Sequence, residues 1–227
     1  MKKKSLLKIT TGVLGCLAVV SIGNYCYNTQ AYVGEQKELV ETEEPIIITE
    51  VSSYETKYNF SDSDVLAEHS DLIVVGKLKD IGTPINFNPT TKKYGKTRTP
   101  AQLEVLKVVK SDGSADLSEV EFLDVGGLIS YAEYEKSLLP AQKAKRDYLM
   151  SQNGNLQSRS NVFVKQSVKN QLELKEDKTY IVYLEYNEDF GKYTVVNQPY
   201  GIKEYNQNTG KVLNHITNEV ETLDEMI

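Results

Sequence analysis

The sequence predicts a mainly β, α+β protein, an antiparallel sandwich or small barrel with a short N-terminal helix and a helical insertion around residues 131–152. Three observations predict it. Short β-branched or alternating apolar runs recur between clusters of turn formers, as at residues 71–78, 119–125 and 179–186. Successive runs are joined by hairpin-length turns rather than by crossover helices, which favours antiparallel pairing. Only residues 131–152 sustain a helical composition of Ala, Glu, Lys and Leu.

The elements follow in chain order. Lys2, Lys3, Lys4 and Lys8 precede an uncharged apolar run over residues 9–22 and a polar stretch over 23–31. That order is the pattern of a secretory signal, with cleavage expected after Ala31. Fourteen residues rise only about 21 Å as a helix, short of the ~30 Å hydrocarbon core. Extended back past Lys8, the same run makes a retained membrane anchor. Cys16 follows Val13-Leu14-Gly15 in the manner of a lipobox, but apolar residues continue beyond it, so it sits inside the apolar run. Residues 1–31 are therefore read as signal or anchor, and the protein as extracytoplasmic, either secreted or held through residues 9–22.

Removing residues 1–31 changes the charge and the thiol count. The whole chain has 26 Lys and Arg against 32 Asp and Glu, a net charge of −6. The removed segment holds four lysines and no acid, so 22 cations face 32 acids in the remainder, a net charge of −10. Both cysteines, Cys16 and Cys26, go with it. A thiol-free exported chain needs no disulfide chemistry, consistent with a Gram-positive-type envelope. The acidity argues against a nucleic-acid partner.

Residues 32–53 read as an acidic spacer, with Glu35, Glu38, Glu41, Glu43, Glu44 and Glu50 against Lys37. Within it, Pro45-Ile46-Ile47-Ile48-Thr49 has edge-strand character. A β-rich globular domain is expected over residues 54–218 and an acidic tail over 219–227. Ser61-Asp62-Ser63-Asp64 supplies caps for a short helix ending near His69. The strand after it is apolar on both faces, Leu72, Val74 and Leu78 on one and Ile73 and Val75 on the other, as in a central strand. Residues 82–100, rich in Pro, Gly, Asn and Thr, read as a long loop. Residues 101–110 and 119–125 read as a hairpin that breaks at Gly126-Gly127. Pro140 divides the helical insertion. Later strands are expected at 162–164, 179–186 and 192–196, with a last hairpin over 201–213.

Three stretches taken together carry a resemblance: Ser70-Asp71-Leu72-Ile73-Val74-Val75-Gly76-Lys77-Leu78, Leu103-Glu104-Val105-Leu106-Lys107-Val108-Val109-Lys110, and Leu174-Lys175-Glu176-Asp177-Lys178-Thr179-Tyr180-Ile181-Val182-Tyr183-Leu184. Their order resembles a broad group of exported proteins of Gram-positive bacteria. More distantly, it is similar to the netrin-like domain of tissue inhibitors of metalloproteinases, over residues 64–205. The resemblance implies an OB-like five-stranded barrel. It does not imply inhibition, because that family grips zinc through an N-terminal Cys-x-Cys, and no cysteine remains beyond residue 31.

The residues exclude most catalytic chemistry by type. Beyond residue 31 there is no Cys nucleophile, and His69 and His215 are the sole histidines. Glu68, His69 and Ser70 are adjacent on a helix and so do not face one another. No metal site or cofactor is expected. Asp62, Asp64 and Glu68 read as helix caps rather than a calcium site. No carboxylate pair stands out among 32 acids. Two features remain. Lys92, Lys93, Tyr94, Lys96 and Arg98 form a basic cluster, with no acid between Ile81 and Leu103. The chain has fifteen tyrosines against five phenylalanines, and six of them, Tyr180, Tyr183, Tyr186, Tyr193, Tyr200 and Tyr205, crowd the C-terminal strands as a candidate contact surface. The expected function is a non-catalytic binding module at the cell envelope, with the basic cluster as its binding site. Its expected partner is an envelope polymer, a lipid headgroup or an exported protein, with the membrane itself met only through the N-terminal segment. The alternatives are a carboxylate-dependent envelope hydrolase and an inhibitor or immunity protein.

Overall fold

A computed structural model describes residues 44–53, 55–111, 113, 117–152 and 161–223. The expected signal or anchor, most of the spacer and the end of the tail lie outside the described residues. Among the described residues no helix is long and apolar enough to cross a membrane.

Among the described residues, twelve strands and three helices follow in order: β1 Ile46–Ser52, α1 Ser63–Glu68, β2 Leu72–Ile81, β3 Ile85–Asn88, β4 Lys93–Ser111, β5 Glu119–Val125, β6 Gly127–Ser130, α2 Tyr131–Glu135, α3 Pro140–Ser151, β7 Val162–Val168, β8 Thr179–Asn187, β9 Lys192–Val195, β10 Ile202–Asn206, β11 Lys211–Leu213 and β12 Val220–Thr222. The fold is mainly β, as the sequence predicts.

β2 and β8 form the centre. Each is apolar on both faces, and each face enters a different core. Leu72, Val74 and Leu78 of β2 join Tyr180, Val182 and Leu184 of β8, together with Leu103 and Phe122. Ile73 and Val75 join Ile181 and Tyr183 under Leu66 of α1. α1 therefore caps the outer face of the central pair. Asp62 starts it, its carboxylate accepting the Asp64 N–H at 2.9 Å, and His69 ends it.

The larger sheet runs β12-β11-β10-β8-β2-β4-β5-β9. β9 pairs with β5 on one side and with β8 on the other. The pairings β8–β2–β4–β5–β9 thus return to β8. β10 and β9 share one edge of β8, β10 along residues 180–182 and β9 along 184–187.

A second sheet, ordered β1-β7-β6, carries its own core of Ile129, Tyr131, Tyr134, Met150, Val162 and Val164 beneath the helical insertion. Ser130 caps α2 and Pro140 opens α3, so the insertion is two helices, as Pro140 predicts.

Four expectations are corrected. Residues 46–52 of the expected spacer are strand β1, in keeping with the edge-strand character of residues 45–49, and it lies parallel to β7. Its inward side chains Ile46 and Ile48 pack on the core of the smaller sheet, which offsets the cost of ordering the strand. Residues 220–222 of the expected tail are strand β12, paired with β11. Pairing is not wholly antiparallel, since β1–β7 and β5–β9 are parallel. No hairpin connects either pair, so no turn imposes antiparallel direction on them. Residues 82–100 are not one long loop. They form β3 and the first part of β4, because the turn formers gather at the hairpin tip, and Pro100 lends its carbonyl to the Gly82 N–H at 2.8 Å.

Candidate functional site

The predicted basic cluster lies on the β3–β4 hairpin. Asn88 makes the turn: its side-chain oxygen accepts the N–H groups of Thr90 at 2.9 Å and Thr91 at 3.0 Å. Lys92 closes the turn with φ of 55°, in the left-handed region. Lys93, Tyr94, Lys96 and Arg98 follow on β4.

The hairpin is inverted relative to an ordinary strand pair. Asn86 and Asn88 are buried, whereas Ile85, Phe87 and Tyr94 are 38%, 39% and 40% exposed. The buried Asn86 amide is satisfied, donating to the Glu133 carbonyl at 2.6 Å. Phe87 and Tyr94 face one another across the ladder with ring centroids 5.0 Å apart. The Lys136 ammonium stands 5.5 Å from the Tyr94 ring centroid, and the Arg98 guanidinium 5.0 Å from that of Phe190.

Lys93, Tyr94, Lys96 and Arg98 line one concavity of about 230 Å³, together with Phe190, Thr91, Gly95 and the amides of Asn86 and Asn88. No carboxylate lines it. Four of the five predicted residues are thus brought together, and Lys92 stands at the turn beside them. Asn86, Asn88 and Phe190 are additions that sequence reasoning missed. The alternation Ile85-Asn86-Phe87-Asn88 is a strand signal, masked by the prolines on either side.

Lys96 also borders a second concavity of about 410 Å³, with Glu50, Thr97, Gly126 and Gln166 among its walls. Glu50 is held there by three donors. It pairs with Arg146, accepts the Tyr134 hydroxyl at 2.7 Å and accepts the Gln166 amide at 3.0 Å. Gln166 in turn accepts the Thr97 N–H at 3.1 Å, which ties β4 to β7. Burial raises the Tyr134 phenol above its ordinary pKa, reinforced by neighbouring Tyr131.

Two buried charged groups lie outside these concavities. Asp124 accepts N–H groups from Val125 at 2.8 Å, Gln198 at 2.5 Å and Gln171 at 2.9 Å. Burial raises its pKa to about 6, against the opposing pull of those donors and of Arg98. A carboxyl poised there can move protons, but these donors occupy both oxygens, and it lines neither concavity. Lys203 is buried on β10, with its ammonium 2.9 Å from the Ser63 hydroxyl and 3.1 Å from Glu221. A Ser–Lys contact is the geometry of an activated nucleophile, but here the same ammonium is also engaged by Glu221, and neither concavity is lined by these residues.

The tyrosine-rich surface is corrected. Tyr180 and Tyr183 are fully buried core residues, and burial raises both phenols. Of the six, only Tyr186 is mostly exposed, edge-on to Tyr193. Among the described residues no group of three or more His, Cys, Asp or Glu is placed to hold a metal ion.

Compared with known families, with curated proteins and with solved structures, the chain matches none.

Proposed function

We propose that this chain is an exported, non-catalytic binding module of a bacterial cell envelope, and that its ligand presents anionic groups to the β3–β4 hairpin. One observation carries this reading. Three cations and two amides converge on a concavity without a carboxylate, in a chain whose net charge is −6. Cations clustered in an acidic protein cost repulsion-free solubility nothing elsewhere, yet they focus a positive potential at one place. The order of Lys2, Lys3 and Lys4 before the apolar run supports export, with residues 9–22 acting as signal or anchor.

At the level of fold, the return of the β8–β2–β4–β5–β9 pairings to β8 supports an OB-like barrel with β10–β12 as a side extension. The hairpin then springs from one rim of that barrel, where loops of such folds commonly meet ligands.

The test is co-sedimentation of the full chain with isolated bacterial wall polymer and with anionic vesicles, over a range of salt. Binding is expected to weaken as salt rises and to be lost in Lys93→Glu/Lys96→Glu. Unchanged binding in that variant, or stronger loss in Lys178→Glu/Lys211→Glu, refutes the assignment of the site.

A further inference from the structure

We infer that the β3–β4 hairpin docks on an anionic lipid surface, with Phe87 and Tyr94 entering the headgroup layer and the lysines beside them meeting phosphate. The inference rests on the binding module proposed above and narrows its partner to a membrane.

The inverted hairpin carries it. β3 turns its amides inward and its Ile85 and Phe87 outward, the opposite of what burial alone would select. Inverting a strand in this way sacrifices hydrophobic stabilisation unless the outward face finds an apolar environment. Phe87 and Tyr94 pack together beside the turn with their planes tilted by 53°, so the exposed apolar surface is an aromatic pair rather than scattered side chains.

The neighbouring insertion continues the same surface. The Asn86–Glu133 hydrogen bond and the Lys136–Tyr94 contact hold the end of α2 against the hairpin. Leu139, three residues beyond Lys136, is 67% exposed. The exposed rings at this corner are accompanied by Lys92, Lys93 and Lys96, whereas Lys136 is paired there with Glu133 at 2.6 Å.

Charge and shape together select the partner. A soluble polyanion meets the positive potential of the cluster and leaves Phe87 and Ile85 in water. A bilayer interface satisfies both, since aromatic rings settle at headgroup depth and each lysine near an anionic leaflet adds about 1 kcal/mol. Lys92, which does not line the concavity, gains a role at the tip, where its charge meets the surface first.

The chain contains no Trp, so Phe87→Trp makes the tip its sole indole emitter. That reporter reads the hairpin alone, whatever the N-terminal segment does in the same vesicles. With full-length Phe87→Trp, phosphatidylglycerol vesicles are expected to shift the emission to the blue and brominated lipid to quench it. Phosphatidylcholine vesicles are expected to do neither. Adding Lys92→Glu/Lys93→Glu is expected to weaken the apparent vesicle affinity by about 30-fold or more. An equal shift with phosphatidylcholine overturns the anionic-lipid assignment. Emission that responds to soluble polyphosphate but not to any vesicle overturns the membrane and leaves the anion-binding module standing. Emission that responds to neither overturns both.

Discussion

Burial of Asp124 should give the protein a contribution to stability that is lost as pH rises. Below about pH 4 its carboxyl is neutral in the folded and the unfolded chain, and the shift from 3.8 to about 6 has no effect. Between about pH 4 and pH 6 the unfolded chain releases the proton while the folded protein keeps it, so unfolding gains ground. Above about pH 6 the loss is complete, at about 3 kcal/mol for a shift of this size. Urea midpoints of the protein and of Asp124→Asn should therefore diverge, the variant gaining about 3 kcal/mol on the parent between pH 4 and pH 7. A constant difference across that range would show that Asp124 titrates normally. Lys203 presents the opposite problem, a buried cation that needs its partner. Glu221→Ala strands that ammonium beside Ser63 alone and should cost about 3 kcal/mol, whereas Lys203→Met removes the charge and should cost less. The order of the two urea midpoints decides the matter.

At the scale of elements, the hairpin and the crossing between sheets depend on a few positions. Asn88 holds the β3–β4 turn through two N–H groups, so Asn88→Ala should cost about 1 kcal/mol, or a melting temperature about 2–4 °C lower. The same variant should weaken anion binding, because the lysines lose their fixed spacing. The chain passes from β5 in the large sheet to β6 in the small one through Gly126 and Gly127, with φ of 99° and 133°. A methyl group on Gly126 would stand 2.5 Å from the Gln166 carbonyl oxygen. Gly126→Ala should therefore destabilise by about 3 kcal/mol or more, read as a shift in the denaturant midpoint.

At the scale of the molecule, two cores are made by one central strand pair and a third by a separate small sheet. Glu50 is a latch between β1, β7 and α3, because Arg146, Tyr134 and Gln166 all converge on it. Glu50→Ala removes the shared acceptor of those three donors, leaving Arg146 the Tyr134 hydroxyl at 3.4 Å, and should cost about 2–4 kcal/mol. The loss should be local: amide exchange should quicken in β7 and α3 before it does in β2 and β8. Uniform acceleration through both sheets would show that the two fold as one cooperative unit.

Much of this arrangement was legible in the residues, and its gaps have definite causes. The two-sided apolar runs of β2 and β8 announced central strands, since period-two alternation leaves no polar face for water. Pro140 announced the split helix and Asp62 the cap. The hairpin at residues 85–98 was hidden because prolines and a glycine give the same composition to a loop and to a tight turn. β12 was hidden because a strand of three residues is defined by its neighbour, and the edge-strand character of residues 45–49 marked β1 without naming its partner. Of the site, the type and clustering of Lys93, Tyr94, Lys96 and Arg98 were visible, as was the absence of acids around them. Their partners Asn86, Asn88 and Phe190 were not.

The sequence by itself determined the strand content, the central strand pair, the helical insertion and the local sign of charge, because each depends on spacing within a few residues. Only the tertiary structure decided which strands meet, that β9 joins β5 to β8, that Tyr180 and Tyr183 are core, and that Phe87 faces outward while Asn86 and Asn88 face in. Those outcomes depend on contacts between residues far apart in the chain. Phe190 reaches Arg98 across about ninety positions, a separation at which local propensity carries no information.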